Sequence, residues 1–249
     1  MVWLIDRAKK TVRISQQDLV TGKASIPLGI NRQLIGALAR ALDRDVDVFI
    51  ILSNVGAPDY SADIPFDNIA RVIRDAMSGT DVGMKNLRLE RFLHIAPVAV
   101  ALGSRPSVKW QDLTPVSNHA KFYMIDDSVF YIGSHNMYAP LETPKGIVGA
   151  NQEFGYIVED AGAARTLLEK WWNRRWTLAA PFQVKNLGAL TAAGWSLNVV
   201  SSPIVDDRDA EPKCTAACSL LGSFRWNETW YWFGGGSTKS SWCQCTPAS

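Results

Sequence analysis

The chain has 249 residues, 47% of them hydrophobic and 20% charged, with 26 basic and 24 acidic side chains and a net charge of +2. That length has room for a sizeable core, either one large domain or a domain with an appendage. The near-neutral balance gives no broad electrostatic case for a nucleic-acid partner. No apolar run approaches the roughly 20 residues of a membrane-spanning helix. The opening MVWLIDRAKK is too short in apolar residues, and wrongly ordered, for a secretory signal.

Along the chain, residues 3–10 read as a helix end closed by Lys9 and Lys10. Thr11 to Ser15 reads as a strand, followed by Gln16, Gln17 and Asp18, and then by a loop with Gly22, Pro27 and Gly29. Asn31 is placed to cap a helix over 32–44, where Leu34, Ile35, Leu38, Ala41 and Leu42 recur at helical spacing. Val46 to Leu52 is a near-continuous apolar run and predicts a buried strand. After a loop-like 53–66, Asp67 is placed to cap a second helix with Ile69, Val72, Ile73, Ala76 and Met77 inward, ended by Gly79 and Gly83. The alternation of Leu87, Leu89, Arg91 and Leu93 with Arg88, Glu90 and Phe92 predicts a strand over 87–95. A connecting stretch follows over 96–115. Glu153 to Val158 reads as a further strand, and Asp160 as the cap of a last helix with Leu167, Leu168, Trp171, Trp172 and Trp176 on its apolar stripe. Early strand–helix alternation with a late hairpin predicts an α/β fold, a mixed sheet with helices on both faces.

From Pro181 the character changes, so the expected division is a domain over 1–180 and a tail or small lobe over 181–249. All four cysteines, Cys214, Cys218, Cys243 and Cys245, lie in this tail. Their even number suggests disulfides and an oxidising compartment, with three possible pairings, while zinc is a weaker alternative because no His lies nearby. The sequon Asn227-Glu228-Thr229 agrees with secretion. In FRWNETWYWF, alternation sets Phe224, Trp226, Trp230 and Trp232 on one strand face. Three readings of the tail stand: a small cystine-stapled lobe with an aromatic core, an exposed aromatic patch that touches lipid or carbohydrate, or disorder.

The chemically informative stretch is HAKFYMIDDSVFYIGSHN, residues 119–136. His119, Lys121 and Asp126 fit H-x-K-x4-D, and Gly133-Ser134-His135-Asn136 fits G-S-x-N. The run reads as two strands around a turn at Asp126-Asp127-Ser128. Alternation places His119, Lys121 and Tyr123 on one face, and Ala120, Phe122 and Met124 on an apolar one. An imidazole, an ammonium, a hydroxyl and an amide thus meet at one end of a hairpin, a set suited to a phosphate.

This stretch resembles the catalytic motif of the phospholipase D superfamily. The likeness is greatest to the C-terminal half of the secreted Streptomyces-type enzymes. It extends to TVRISQQDL at 11–19, to FYIGS at 130–134 and to EFGYIVE at 153–159, and covers residues 1 to about 180. The resemblance implies a phosphodiesterase that needs no metal or other cofactor. Two such motifs face each other in that family: one His attacks phosphorus and becomes a phosphohistidine, and the other protonates the leaving oxygen. Hydrolysis or transphosphatidylation then releases the product. By position, His119 would be the acid and later base. Lys121, Ser134 and Asn136 would hold phosphate oxygens, and Glu153 would receive the other imidazole N–H. Asp126 belongs to the motif but reads as bracing the turn. Gln16, Gln17 and Asp18 would sit at the mouth of the site, and His135 would line it.

In-line transfer needs a nucleophile on one side and an acid on the other, and one imidazole cannot be both. Only three histidines are present, and neither His94 nor His135 has a Lys two residues on. His94 reads as a structural strand residue. Three accounts follow: the second lobe of a secreted phospholipase D acting on phospholipids such as phosphatidylcholine at a membrane or micelle surface, its first lobe missing; a homodimer, nuclease-like or otherwise, with two His119 facing; or a non-catalytic module keeping a phosphate pocket. The modest charge disfavours nucleic acid, though Arg174, Arg175 and Lys185 leave it open. Trp110, Tyr123 and Tyr131 are candidate aromatic faces for a quaternary ammonium, or else ordinary packing.

Overall fold

The structure is a computed structural model. It describes residues 1–23, 26–53, 64–98, 118–137, 141–143, 146–148, 152–190, 196–233 and 240–248. Its centre is a six-stranded sheet built from β1 (Thr11–Ser15), β4 (Asp47–Leu52), β5 (Leu93–Pro97), β6 (Phe122–Ile125), β7 (Val129–Gly133) and β10 (Gly155–Glu159), in the order β10-β7-β6-β1-β4-β5. The β1, β4 and β5 strands are mutually parallel, and β6, β7 and β10 add on antiparallel. Parallel neighbours need long crossovers, here through α2 (Arg32–Asp43), α3 (Phe66–Ala76) and α4 (Val82–Phe92).

Both faces of the sheet are covered. Val12, Ile14, Val48, Ile50, Leu93 and Ile95 join Leu34, Leu38, Leu42, Ile69 and Ile73 in the larger core. Phe122, Met124, Phe130, Ile51 and Ala96 face the other way, onto Trp172 and Ala164. That second cover comes from α5 (Ala161–Leu167), a π-helical stretch Leu168–Trp172 and α6 (Asn173–Ala179). The mixed sheet with helices on both faces is therefore as expected. Asn31 caps α2 by accepting from Leu34 N–H at 3.1 Å. Asp160 caps α5 by accepting from Gly162 and Ala163.

Three expectations are corrected. Residues 82–92 are helical, and the strand β5 begins only at Leu93. Asp81 caps this helix by accepting from Met84 N–H at 3.0 Å. Asn86 and Leu89, three apart, are buried while Leu87 is 60% exposed, which a helix produces and a strand does not. Asp67 is not the cap of α3: Pro65 holds that position, and Asp67 lies fully buried in the first turn. The expected loop after Leu19 is instead a hairpin, β2 (Val20–Lys23) paired with β3 (Ile26–Ile30). A second small hairpin pairs β8 (Leu141–Thr143) with β9 (Gly146–Val148).

The tail carries more regular structure than its sequence signals. Its helix α7 (Asp207–Ser219) packs on a sheet of order β11-β13-β12, formed by β11 (Leu197–Ser201), β12 (Phe224–Phe233) and β13 (Ser240–Pro247). Pro212 lies inside α7 and weakens its helical signal. Disulfides join Cys214 to Cys243 and Cys218 to Cys245, which ties α7 to β13 and leaves no cysteine for zinc. Trp230 is buried among the cystines, with Phe224 and Trp226 packed against them. The sequon no longer argues for secretion: Asn227 is buried, and its Oδ1 accepts from Thr229 N–H at 3.0 Å.

The tail also touches the main sheet. Val184 N–H donates to Ile95 O at 2.9 Å, and Val184, Leu187 and Leu190 enter the larger core. Asn68 and Ser196 exchange two hydrogen bonds, and the Asp67 carboxylate accepts from Ser196 Oγ and Gln244 Nε2. Among the described residues no helix is long and apolar enough to cross a membrane.

Candidate active site

Strand register decides which segment ends meet. Ser15 pairs with Phe122, Phe122 with Ile132, and Gly133 with Gly155. The residues after β1, before β6, after β7 and before β10 therefore share one end of the sheet. Those residues are Gln16–Asp18, Asn118–Lys121, Ser134–Asn136 and Glu153–Phe154. The structure thus brings together the residues singled out from sequence, with the exception of Asp126.

Asp126 lies at the opposite end of β6. Its carboxylate accepts from the backbone N–H of Lys9 (2.9 Å), Lys10 (2.7 Å) and Thr11 (2.9 Å). Asp126 and Asp127 have φ of 48° and 55°, the left-handed pair that suits a tight hairpin turn. Asp126 therefore registers the hairpin against the start of β1 and is remote from the other motif residues.

His119 is exposed, and Lys121 is buried at 8% exposure. The ladder of β6 begins at Phe122, so both residues precede the strand instead of lying within it. What holds them is Asn118, a residue the motif does not flag. Buried Asn118 donates from Nδ2 to Ser15 Oγ (3.0 Å) and Ile51 O (2.9 Å), and its backbone N–H donates to Ser53 Oγ (2.9 Å). Its Oδ1 accepts from Ala120 N–H at 3.2 Å. The backbone on both sides of His119 is thereby tied to the ends of β1 and β4. The sequence signals it only as a polar residue directly before the motif histidine.

Lys121 Nζ donates to the His119 carbonyl oxygen at 3.1 Å. Burial pushes the ammonium below its ordinary pKa, while the carboxylates of Glu153 and Asp18 pull it back up. Lys121, Glu153 and Asp18 thus form one electrostatic group. Glu153 is half-buried, and Asp18 is buried.

Ser134 fastens the lead-in of β10. Its N–H donates to Phe154 O at 2.9 Å, its Oγ accepts from Phe154 N–H at 3.0 Å, and its hydroxyl reaches Phe154 O at 3.2 Å. These bonds set the place of the neighbouring Glu153. Gly133 and Gly155, paired across β7 and β10, make room for Tyr131. A Cβ on either glycine would lie 2.3 Å from the tyrosine ring or hydroxyl. His135 is exposed and Asn136 is half-buried.

Gln16 and Gln17 lie beneath this end with exposures of 0% and 1%, and neither side-chain amide has a hydrogen-bond partner among the described residues. Tyr123 and Tyr131 stack at 4.7 Å in the larger core, so they pack the fold and present no face for a headgroup. Trp110 lies outside the described residues. His94 stacks on Phe49 at 4.6 Å and its Nδ1 lies 3.3 Å from Gln183 Oε1, a structural placement. Among the described residues no group of three or more His, Cys, Asp or Glu is arranged to hold a metal ion.

The family model described as cardiolipin synthase, PLD-like domain, matches residues 1–176. This chain belongs to the phospholipase D superfamily. A phospholipase D from Streptomyces antibioticus is 32% identical over 182 residues, which is 70% of this chain and 30% of that enzyme. The chain therefore spans about a third of the length of that superfamily relative. Among solved structures, Nuc of Salmonella typhimurium, a phospholipase D family member, aligns with a TM-score of 0.44 and 17% identity over 74% of this chain and 88% of its own. Phosphatidylserine synthase of Haemophilus influenzae aligns with a TM-score of 0.45 and 15% identity over 72% of this chain and 35% of its own. This end of the sheet holds an exposed imidazole, a partly desolvated ammonium and two carboxylates coupled to that ammonium.

Proposed function

We propose that this chain supplies one of the two histidine half-sites of a phospholipase D-type phosphodiesterase acting on phospholipids such as phosphatidylcholine. The observation that carries this reading is His119, exposed at the sheet end beside buried Lys121, in a chain with one such motif. His119 acts as the proton donor to the leaving alcohol and then as the base that activates water or an acceptor alcohol. Lys121 and Asn136 hold the phosphate oxygens. Ser134 joins them by exchanging its bond to Phe154. Glu153 receives the other imidazole N–H and fixes the tautomer of His119. The nucleophilic histidine comes from a separate lobe. Two cystines support action in an oxidising, extracytoplasmic compartment.

A second reading is a homodimer in which two copies complete the site. What favours it is an exposed apolar group beside the site: Ile132 (45%), Phe154 (72%) and Tyr156 (65%). One set of measurements separates the readings. The purified chain is assayed on phosphatidylcholine vesicles, bis(p-nitrophenyl) phosphate and supercoiled plasmid, with light scattering of the same sample. A 27.5 kDa monomer without turnover fits the half-enzyme, and an active particle of twice that mass fits the dimer. In either case His119→Ala abolishes turnover, in the dimer directly and in the half-enzyme once the first lobe is added. Retention of most activity in that variant refutes the assignment. Phosphate binding without turnover in every format leaves the non-catalytic module.

A further inference from the structure

We infer that the cystine-stapled tail carries a second ligand site, a saccharide-binding groove between α7 and β12. A cavity of about 520 Å³ lies there, within the roughly 300–1,000 Å³ of small-ligand pockets. None of the candidate catalytic residues lines it. One wall is a stripe of α7: Asp207, Glu211, Thr215 and Ser219 recur every four residues, so they share one flank of the helix. The other wall is β12, which contributes Phe224, Trp226 and Glu228. A smaller cavity of about 280 Å³ shares Lys185, Arg225, Trp226 and Glu228 with it.

The chemistry of the lining selects the ligand class. Trp226 has its indole N–H committed internally, to Thr229 O at 2.9 Å, so what it offers a ligand is its ring. Phe224 and Trp226, two apart on β12, form an aromatic floor that is only half-buried. Around that floor stand acceptors and donors of both signs. Asp207 holds Trp230 Nε1 at 2.9 Å and faces Lys185 at 3.8 Å. Glu211 and Glu228 form no ion pair among the described residues, and Arg225 and two hydroxyls complete the rim. In the larger cavity lining carboxylates outnumber cations three to two, which disfavours a phosphate there, whereas Arg71, Lys185 and Arg225 face Glu228 alone in the smaller one, so the sodium phosphate titration tests that end. Two aromatic residues on a single strand do not make an enclosing box, which disfavours a quaternary ammonium. An uncharged ring with an apolar C–H face and many hydroxyls satisfies both the floor and the rim, and that is a pyranose. Trp226 lines both cavities, which leaves room for more than one unit of a chain. Glu228 sits between Trp226 and Trp230, where the β12–β13 register shifts, with a φ of 65°. This irregularity in the strand places its carboxylate in both cavities.

The test is titration calorimetry on the oxidised full chain with triacetylchitotriose, cellotriose and maltotriose, and with choline chloride and sodium phosphate as the other ligand classes. At least one trisaccharide binds, and choline and phosphate neither bind in the groove nor compete. Trp226→Ala weakens that binding about tenfold, the scale of one lost aromatic contact. Glu211→Gln, on the exposed flank of α7, weakens it severalfold without touching the core. The inference is overturned if no trisaccharide binds, if choline or phosphate displaces the sugar, or if Glu211→Gln and Trp226→Ala both bind like the parent. Where circular dichroism shows Trp226→Ala unfolded, Glu211→Gln decides alone. Phosphodiesterase activity is not a readout, so this inference and the proposed function fail separately.

Discussion

Asn118 Nδ2 and Ser15 Oγ lie 3.0 Å apart, and through this bond the segment that carries His119 is fastened to the end of β1. The motif histidine is thus placed by a buried amide. Asn118→Ala removes this bond, the one to Ile51 and the acceptor for Ala120, and leaves the Ser15 hydroxyl without its amide partner. The expected loss of stability is about 1–3 kcal/mol. A displacement of the imidazole lowers kcat by up to about a hundredfold while KM changes little. Steady-state kinetics of the assembly that turns over, the dimer or the chain with the first lobe added, beside thermal unfolding checks this, and a fall in stability with unchanged kcat rejects the positioning role.

Glu153 and Lys121 are coupled through charge. Glu153→Gln removes a carboxylate that raises the Lys121 pKa, so the ammonium loses its proton at lower pH than in the parent. The folded chain is retained, the rate falls, and the alkaline limb of the pH–rate profile moves to lower pH. A profile unchanged in shape counts against Glu153 in the site.

Gly133 and Gly155 leave the space that the Tyr131 ring occupies. Gly133→Ala puts a methyl within 2.3 Å of the tyrosine hydroxyl and forces the ring aside. Overpacking of this kind costs about 1–3 kcal/mol. Adding Tyr131→Leu to Gly133→Ala recovers the part of the loss that comes from the tyrosine, while the contact with the Phe154 carbonyl oxygen at 2.5 Å remains. A double-mutant cycle of unfolding free energies measures the recovery, and simple additivity contradicts it.

Asp67 gives a pH signature. Burial pushes its carboxyl up to about 6, against the pull of Ser196 and Arg71. An unfolded Asp titrates near about 3.9, so the folded chain binds more protons between these values. The resulting stability is fully present below about pH 4 and is lost as pH rises through about 6. Asp67→Asn removes the titration and flattens unfolding free energy against pH over that window. An undiminished slope in the variant assigns the dependence to another group.

The two cystines close spans of 29 and 27 residues between α7 and β13. By chain entropy each contributes about 3–4 kcal/mol. The double variant Cys214→Ser, Cys243→Ser is expected to lower the unfolding midpoint and expose Trp230 to solvent. A fluorescence-monitored denaturant titration reads both effects.

Much of this fold is written locally. The cap at Asn31, the apolar run at 46–52 and the turn at Asp126-Asp127 each depend on interactions within a few residues, so their patterns are readable in isolation. The histidine motif is legible for the same reason, because its members lie within one hairpin. Residues 82–92 mislead because LRLERFL alternates as a strand does. The outcome depends on a cap at Asp81 and on burial of Leu89 against distant partners.

Other features depend on partners far along the chain. Asp67 looks like a helix cap, yet its hydrogen-bond partners are Ser196 and Gln244, 129 and 177 residues away. Asn118 looks like a loop polar residue, and its partners lie on β1 and β4. Cysteine count foretells disulfides, but only the packing of α7 on β13 selects one of three pairings. Composition and periodicity thus account for the sheet with its two helical layers, and the motif residues of one hairpin carry the resemblance to the family. Strand register accounts for which segment ends meet around His119. Pairing energy between segments over a hundred residues apart arises only once the chain has closed on itself, and no local window contains it.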